Sequence, residues 1–388
     1  MKSKLILSTT VAIFTLAACV IAEEAKYPPI NPALIYWQAA AEMPDLKGEK
    51  SDLIRDIVSG KKPFDATKAE PILAESVGAL GLFAKAADST APCDWGLQLQ
   101  DGPGTPLPHL SKVRELCRLA ILKSDALFAE GKPSEGVEWL LATQRAARHA
   151  GAGDLLINAL VQISIEASVI KAAALHCLAW DEATRQRYAD GLKALPPLHS
   201  VQDATRGEMM LVDWIERRFQ PVDAKARQKI QDKLSAANQP DGKANSEFDA
   251  AIKMFQGQLT PEQLPKLTAG MRDLYLRTQV ALGKPWKEGQ AELQAIIKES
   301  QEGNILIKLM FPSFVDVNAK SFEIATLRTM LDAALQYGPK LDEAAAGSFK
   351  DAFDGEPLIL KKGEDGGLTL STSRQYWKGK DVELKVGK

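Results

Sequence analysis

The sequence predicts an all-α protein, an irregular multi-helix bundle closed by a small C-terminal β-hairpin. Three observations carry that prediction. Apolar residues recur at spacings of three and four almost everywhere after the first 22 residues; β-branched alternating runs are few until residue 357; and Gly131, Gly151, Gly283 and Gly338 stand as stop signals after helical stretches. The expected helices are 31–43, 50–59, 66–87, 110–130, 133–149, 153–179, 181–193, 201–219, 223–236, 246–256, 260–282, 288–300 and 320–337. Asp181 is placed to cap the helix from Glu182, and Thr260-Pro261-Glu262 puts proline in a first turn. From 357 the period becomes two, in Leu358–Lys361, Leu368–Ser371 and Val382–Val386, with Gly366-Gly367 near a turn.

The first 22 residues have the layout of an export signal, with Lys2 and Lys4 ahead of an apolar run from Leu5 to Ala18. Leu16-Ala17-Ala18-Cys19 resembles a bacterial lipobox, which implies lipidation at Cys19 and a membrane held only through that anchor. Cleavage after Val20-Ile21-Ala22 also fits and would leave a periplasmic or secreted chain. Beyond the signal the expected division is a helical core at 23–200, a charged helical arm or outer layer at 201–340 and a β-hairpin tail at 341–388.

Composition excludes several function classes. Lys+Arg 48 against Asp+Glu 50 offers no basic surplus, so nucleic acid is not an expected partner. Loss of Lys2 and Lys4 with the signal moves the net charge from −2 to −4. Four His in the chain leave little room for a metal site, and no metal or cofactor is expected. Gly-x-Ser-x-Gly, His-Glu-x-x-His, Walker, dinucleotide and Cys-x-x-Cys motifs are all missing. Ser-x-x-Lys occurs at Ser59–Lys62 and Ser168–Lys171 without the partner motifs of a penicillin-binding site. Cys93, Cys117 and Cys177 remain in the exported part; an odd number permits one disulfide, and Cys117 and Cys177 sit in apolar helical patterns that suit buried thiols.

Two regions carry candidate chemistry. The loop 92–109 is rich in Gly and Pro and holds Asp94, Trp95, Asp101 and His109, with Arg114 in the helix that follows. An aspartate or thiolate oriented by His109 would be a base or nucleophile. In the alternative reading Trp95 plugs the helical core, the aspartates satisfy loop amides and His109 caps a helix. The second region is 153–179, apolar nearly all round, which marks a buried central helix interrupted by Glu166 and Lys171. A buried carboxylate needs a partner, for which Arg114, Arg145, Arg148 and His149 are candidates; an acid/base role with a raised pKa is the other reading.

Residues 112–150 form a helical hairpin similar to one tetratricopeptide repeat, with Ser124, Gly136 and Thr143 where close helix contact is needed, so a helical array of that type is the alternative architecture. Asn31-Pro-Ala-Leu-Ile-Tyr-Trp-Gln-Ala39, Cys93-Asp-Trp-Gly96 with Asp101-Gly-Pro103 and Leu107-Pro-His-Leu110, and Asp351-Ala-Phe-Asp-Gly-Glu-Pro-Leu358 together resemble an uncharacterised family of exported, mostly α-helical proteins of planctomycete-type bacteria. That resemblance implies membership without an activity. The third stretch is also similar to the tail of type II secretion pseudopilins, with Ala352 in place of proline; Asp351 and Gly355 would make its turn. The function expected from the whole is a cell-envelope scaffold that binds a protein or another envelope component. The alternative is an enzyme or ligand-binding protein with its site between the 92–109 loop and the 153–179 helix.

Overall fold

The structure, a computed structural model, describes residues 30–218, 263–302, 307, 311, 313–363 and 367–387. The expected export signal with Cys19, the expected helices 223–236 and 246–256 and the expected helix start at Thr260-Pro261-Glu262 lie outside the described residues.

The chain is all-α with a small sheet at its end. The helices are α1 Pro32–Ala41, α2 Glu49–Val58, α3 Ala66–Glu75, α4 Val77–Ala87, α5 Pro108–Ala129, α6 Pro133–Gly151, α7 Leu156–His176, α8 Glu182–Lys193, α9 Val201–Glu208, α10 Met210–Arg218, α11 Gln263–Leu282, α12 Trp286–Glu302, α13 Phe314–Tyr337 and α14 Glu343–Gly347. Their starts follow local chemistry. Asp181 accepts from Thr184 N at 2.7 Å, Ser200 from Asp203 N at 3.0 Å and Asp342 from Ala345 N at 2.8 Å, each satisfying an amide that the helix leaves free. Pro32, Pro108 and Pro133 occupy first turns, where their missing N–H costs nothing.

Two expected helices are broken. The stretch 66–87 divides at Ser76, whose hydroxyl is buried and donates back to Ile72 O at 2.7 Å in place of a regular turn. The stretch 201–219 divides at Met209. In the other direction, α13 begins six residues earlier than its apolar spacing suggests, because Phe314, Val315 and Val317 are buried by tertiary packing.

Helices α5 and α6 form a hairpin across Gly131, which takes φ +72, and a side chain at Gly136 would collide with the Phe128 ring. Helix α7 is the centre of the molecule, packed by α5, α6, α9, α13 and the sheet. It is the one helix among the described residues long and apolar enough to cross a membrane, and two thirds of it is buried inside the protein. Each fully buried Val, Leu or Ile there contributes about 1.5–3 kcal/mol relative to exposure. One buried cluster runs from Ala33 to Val386, so α13 and the sheet share the core of the first helices.

Strands β1 Ile359–Lys362, β2 Leu368–Ser371 and β3 Glu383–Val386 are antiparallel in the order β1-β2-β3. The register aligns Leu360, Leu370 and Leu384, all buried, on the helix-facing side. Gly387 N donates to Ala174 O at 2.9 Å, tying the last strand to α7. The turn before the sheet is built on Asp351, which accepts from Phe353 N at 2.8 Å and Asp354 N at 3.0 Å, with Gly355 at φ +76.

Candidate functional site

The loop between α4 and α5 is anchored as a piece of core. The Trp95 indole donates to His149 O at 2.8 Å and stacks on His109 with centroids 4.6 Å apart and on Tyr36 at 5.8 Å. The Tyr36 hydroxyl lies 3.0 Å from His149 Nδ1, and Asn158 Nδ2 lies 3.4 Å from His109 Nε2. Burial holds both imidazoles down at a pKa of about 4 and raises the Tyr36 phenol, so these groups meet as neutral partners. Asn31 joins the first two quoted stretches directly. Its side chain caps α1 at Ala33 N, donates to Asp94 O at 2.6 Å and accepts from Asp94 N at 3.1 Å.

His109 sits in the second position of α5 and makes no capping bond there; its ring is taken up by the stack. Asp94 is exposed and accepts from Gly96 N at 2.9 Å, Asp101 is exposed on a 3-10 turn, and Arg114 is exposed on α5. Of these four side chains and Glu166, only Glu166 lines the cavity between α6, α7, α8 and α13. Lys171, the other charge in the apolar helix, faces solvent. Cys93, Cys117 and Cys177 are free thiols, and burial pushes all three thiol pKa values up, Cys93 and Cys177 to about 12, so none is a thiolate at neutral pH. Among the described residues no three His, Cys, Asp or Glu side chains cluster in a way that would hold a metal ion.

Glu166 is fully buried at the wall of a cavity of about 930 Å³ that α6, α7, α8 and α13 enclose. Its carboxylate meets Arg148 of α6 at 2.8 Å and is also bonded by Arg328 of α13. Arg148 is 8% exposed, and its Nε has no hydrogen-bond partner; the buried Gln144 Oε1, one turn earlier on α6, has none either. Burial lowers the Arg148 pKa, opposed by the Glu166 charge, and a guanidinium remains protonated even so.

The rest of the wall mixes charge with apolar surface. Arg185 on α8 donates to Trp180 O, and Lys193 pairs with Asp190 at 3.0 Å. Asp332 stands one turn after Arg328; burial raises its pKa while Arg328 and Lys193 pull it back. Ile170, Leu192, Leu331, Leu335 and Phe349 supply apolar contact. Five cationic side chains, Arg148, Arg185, Lys193, Arg328 and Lys340, face three acidic ones, Glu166, Glu182 and Asp332, so this wall is cationic in a chain whose net charge is −2.

Sequence reading singled out Glu166 and named Arg148 among its partners, but missed Arg328, which lies 162 residues away. A signal was present: Arg328, Asp332 and Gln336 recur every fourth residue in the second half of α13, where most of their neighbours are apolar. Comparison with protein-family models, with curated proteins and with solved structures finds no match to the chain.

Proposed function

We propose that the protein is an exported, cell-envelope binding protein that holds an acidic envelope component with an apolar body in the cavity between α6, α7, α8 and α13. The observation that carries this reading is the Arg148–Glu166–Arg328 cluster. One carboxylate serves two guanidiniums at the cavity wall, and a buried Arg148 Nε lacks a partner. Guanidiniums bind carboxylate and phosphate through paired donors, a geometry that a single ammonium does not offer. The apolar side chains on the same wall would hold the body of the ligand. Export fits the N-terminal segment, with either a lipid on Cys19 or a soluble chain cut after Ala22.

Calorimetric titration tests it with dodecanoate and with dodecanamide, the uncharged molecule of the same length. Dodecanoate binds at one site, dodecanamide binds far more weakly, and Arg328→Gln removes the difference. Equal binding of the two by the natural chain would overturn the reading.

The hairpin groove favours a second reading, a scaffold that docks an amphipathic helix of a partner protein. A recess of about 740 Å³ is bounded by Phe64, Leu73, Val77, Leu80 and Trp139, and Val77 is 68% exposed. On that reading Val77→Asp abolishes co-purification of an envelope partner and leaves dodecanoate binding unchanged.

A further inference from the structure

Resting on the ligand-binding reading, we infer that the cavity takes an elongated dianion, with one acidic group at each end of an apolar chain. The inference follows from how charge is distributed along the cavity. On α13, Arg328, Leu331, Asp332 and Leu335 share one face at spacings of three and four, and Gly338 follows at the helix end. Ten residues separate Arg328 from Gly338, a rise of about 15 Å at 1.5 Å per residue.

Helix α8 runs the other way along the same cavity. Its Arg185 lies against Gly338, where an added Cβ would stand 2.6 Å from the guanidinium carbon, and its Lys193, two turns later, acts on Asp332 in the middle of the α13 face. The cations therefore divide into two groups. Arg148 and Arg328 occupy one end, where both meet Glu166 and Arg148 Nε is left without a partner. Arg185 and Lys340 occupy the other, with Glu182 one turn before Arg185 on the same wall. Each end presents two cationic side chains to the cavity. Between them Asp332 is drawn by both Arg328 and Lys193, Lys193 pairs with Asp190, and Leu192, Leu331 and Leu335 line the interval. A short anion, or one with a single head, engages the cations of one end only. A chain of about 15 Å with an acidic group at both ends engages both and lays its methylene body on the leucines between them.

Titration of the full chain with dodecanedioate, whose extended length matches that span, with dodecanoate and with glutarate tests the inference. Dodecanedioate is expected to bind with one-to-one stoichiometry and about tenfold more tightly than dodecanoate, the gain from one added charge-assisted contact; glutarate binds weakest of the three. Arg185→Gln should bring dodecanedioate to the affinity of dodecanoate and leave dodecanoate itself unchanged, whereas Arg328→Gln weakens both. Lys340→Gln, at an exposed position, reports on the same end if Arg185→Gln disturbs folding. Equal affinity for the one-headed and two-headed chains, or Arg185→Gln and Lys340→Gln that leave dodecanedioate binding intact, would overturn the dianion and leave the anion site standing. Absence of binding by all three probes would overturn both readings.

Discussion

Arg148 and Glu166 meet at 2.8 Å on facing helices, in a part of the protein where Glu166 has no exposure to solvent. An ion pair so placed adds little net stability, because both charges lose their hydration, but removal of one partner strands the other. Glu166→Gln leaves Arg148 and Arg328 facing each other without a counter-charge. Stability should fall by about 3–5 kcal/mol, read as a lower midpoint in urea denaturation. Dodecanoate affinity should rise in the same variant, since two guanidiniums are released to an external anion. A merely structural ion pair predicts the first change without the second.

The neutral histidines make stability depend on pH. His109 and His149 are held at about 4, below the value near 6.5 of an unfolded histidine. A depressed histidine is stabilising when neutral, so the contribution is complete above about pH 6.5 and is lost as pH falls from there toward about 4, each ring accounting for at most about 3 kcal/mol. Urea midpoints measured between pH 7.5 and 4.5 should decline over that window, and His109→Phe, which keeps a ring on Trp95, should flatten about half of the slope. An unchanged slope in the variant would place the acid sensitivity elsewhere.

Asn31 couples the first helix to the loop after α4 through three bonds of one amide side chain: Ala33 N, Asp94 O and Asp94 N. Asn31→Ala removes a helix cap and two cross-links together, a loss of about 2 kcal/mol. Hydrogen exchange should quicken at the Asp94 and Gly96 amides and in the first turn of α1, with α7 unaffected. Protection that stays uniform would show that the Trp95 stack alone holds the loop.

What sequence made legible here was local. The cap at Asp181, glycine stops and the change of period at 357 marked many of the helices and the sheet, because each depends on a few neighbouring residues. Glu166 stood out because an ionisable group in an apolar helix demands a partner, and Arg148 lay within reach on the preceding helix. Arg328 did not follow, since no local rule joins residues 162 positions apart. His109 was expected either to work chemically or to cap α5; its stack on Trp95 arises only when the loop folds onto α1, α5 and α6. The break at Ser76 and the early start of α13 have the same origin, a side-chain bond in one and tertiary burial in the other overriding apolar spacing.

Gly338 offers the last test, since it ends α13 between Tyr337 and Pro339, which line the cavity. Its backbone sits at φ +53, a conformation that side-chain-bearing residues rarely adopt, and a Cβ there would stand 2.6 Å from Arg185 Cζ. Gly338→Ala should therefore cost about 1–2 kcal/mol through backbone strain, seen in the urea midpoint. The guanidinium is the movable end of a long side chain, so it yields to the new methyl group and leaves its place at the cavity. Dodecanedioate affinity should drop toward that of dodecanoate, while dodecanoate affinity holds. Gly81→Ala in α4 is the control: nothing lies within 4 Å of its added Cβ, and alanine in a helix is favoured over glycine by about 1 kcal/mol. That variant should be as stable as the natural chain or more so, with both affinities unchanged. A Gly338→Ala protein that loses stability yet keeps its preference for the two-headed chain would show that Arg185 does not form the second end of the site.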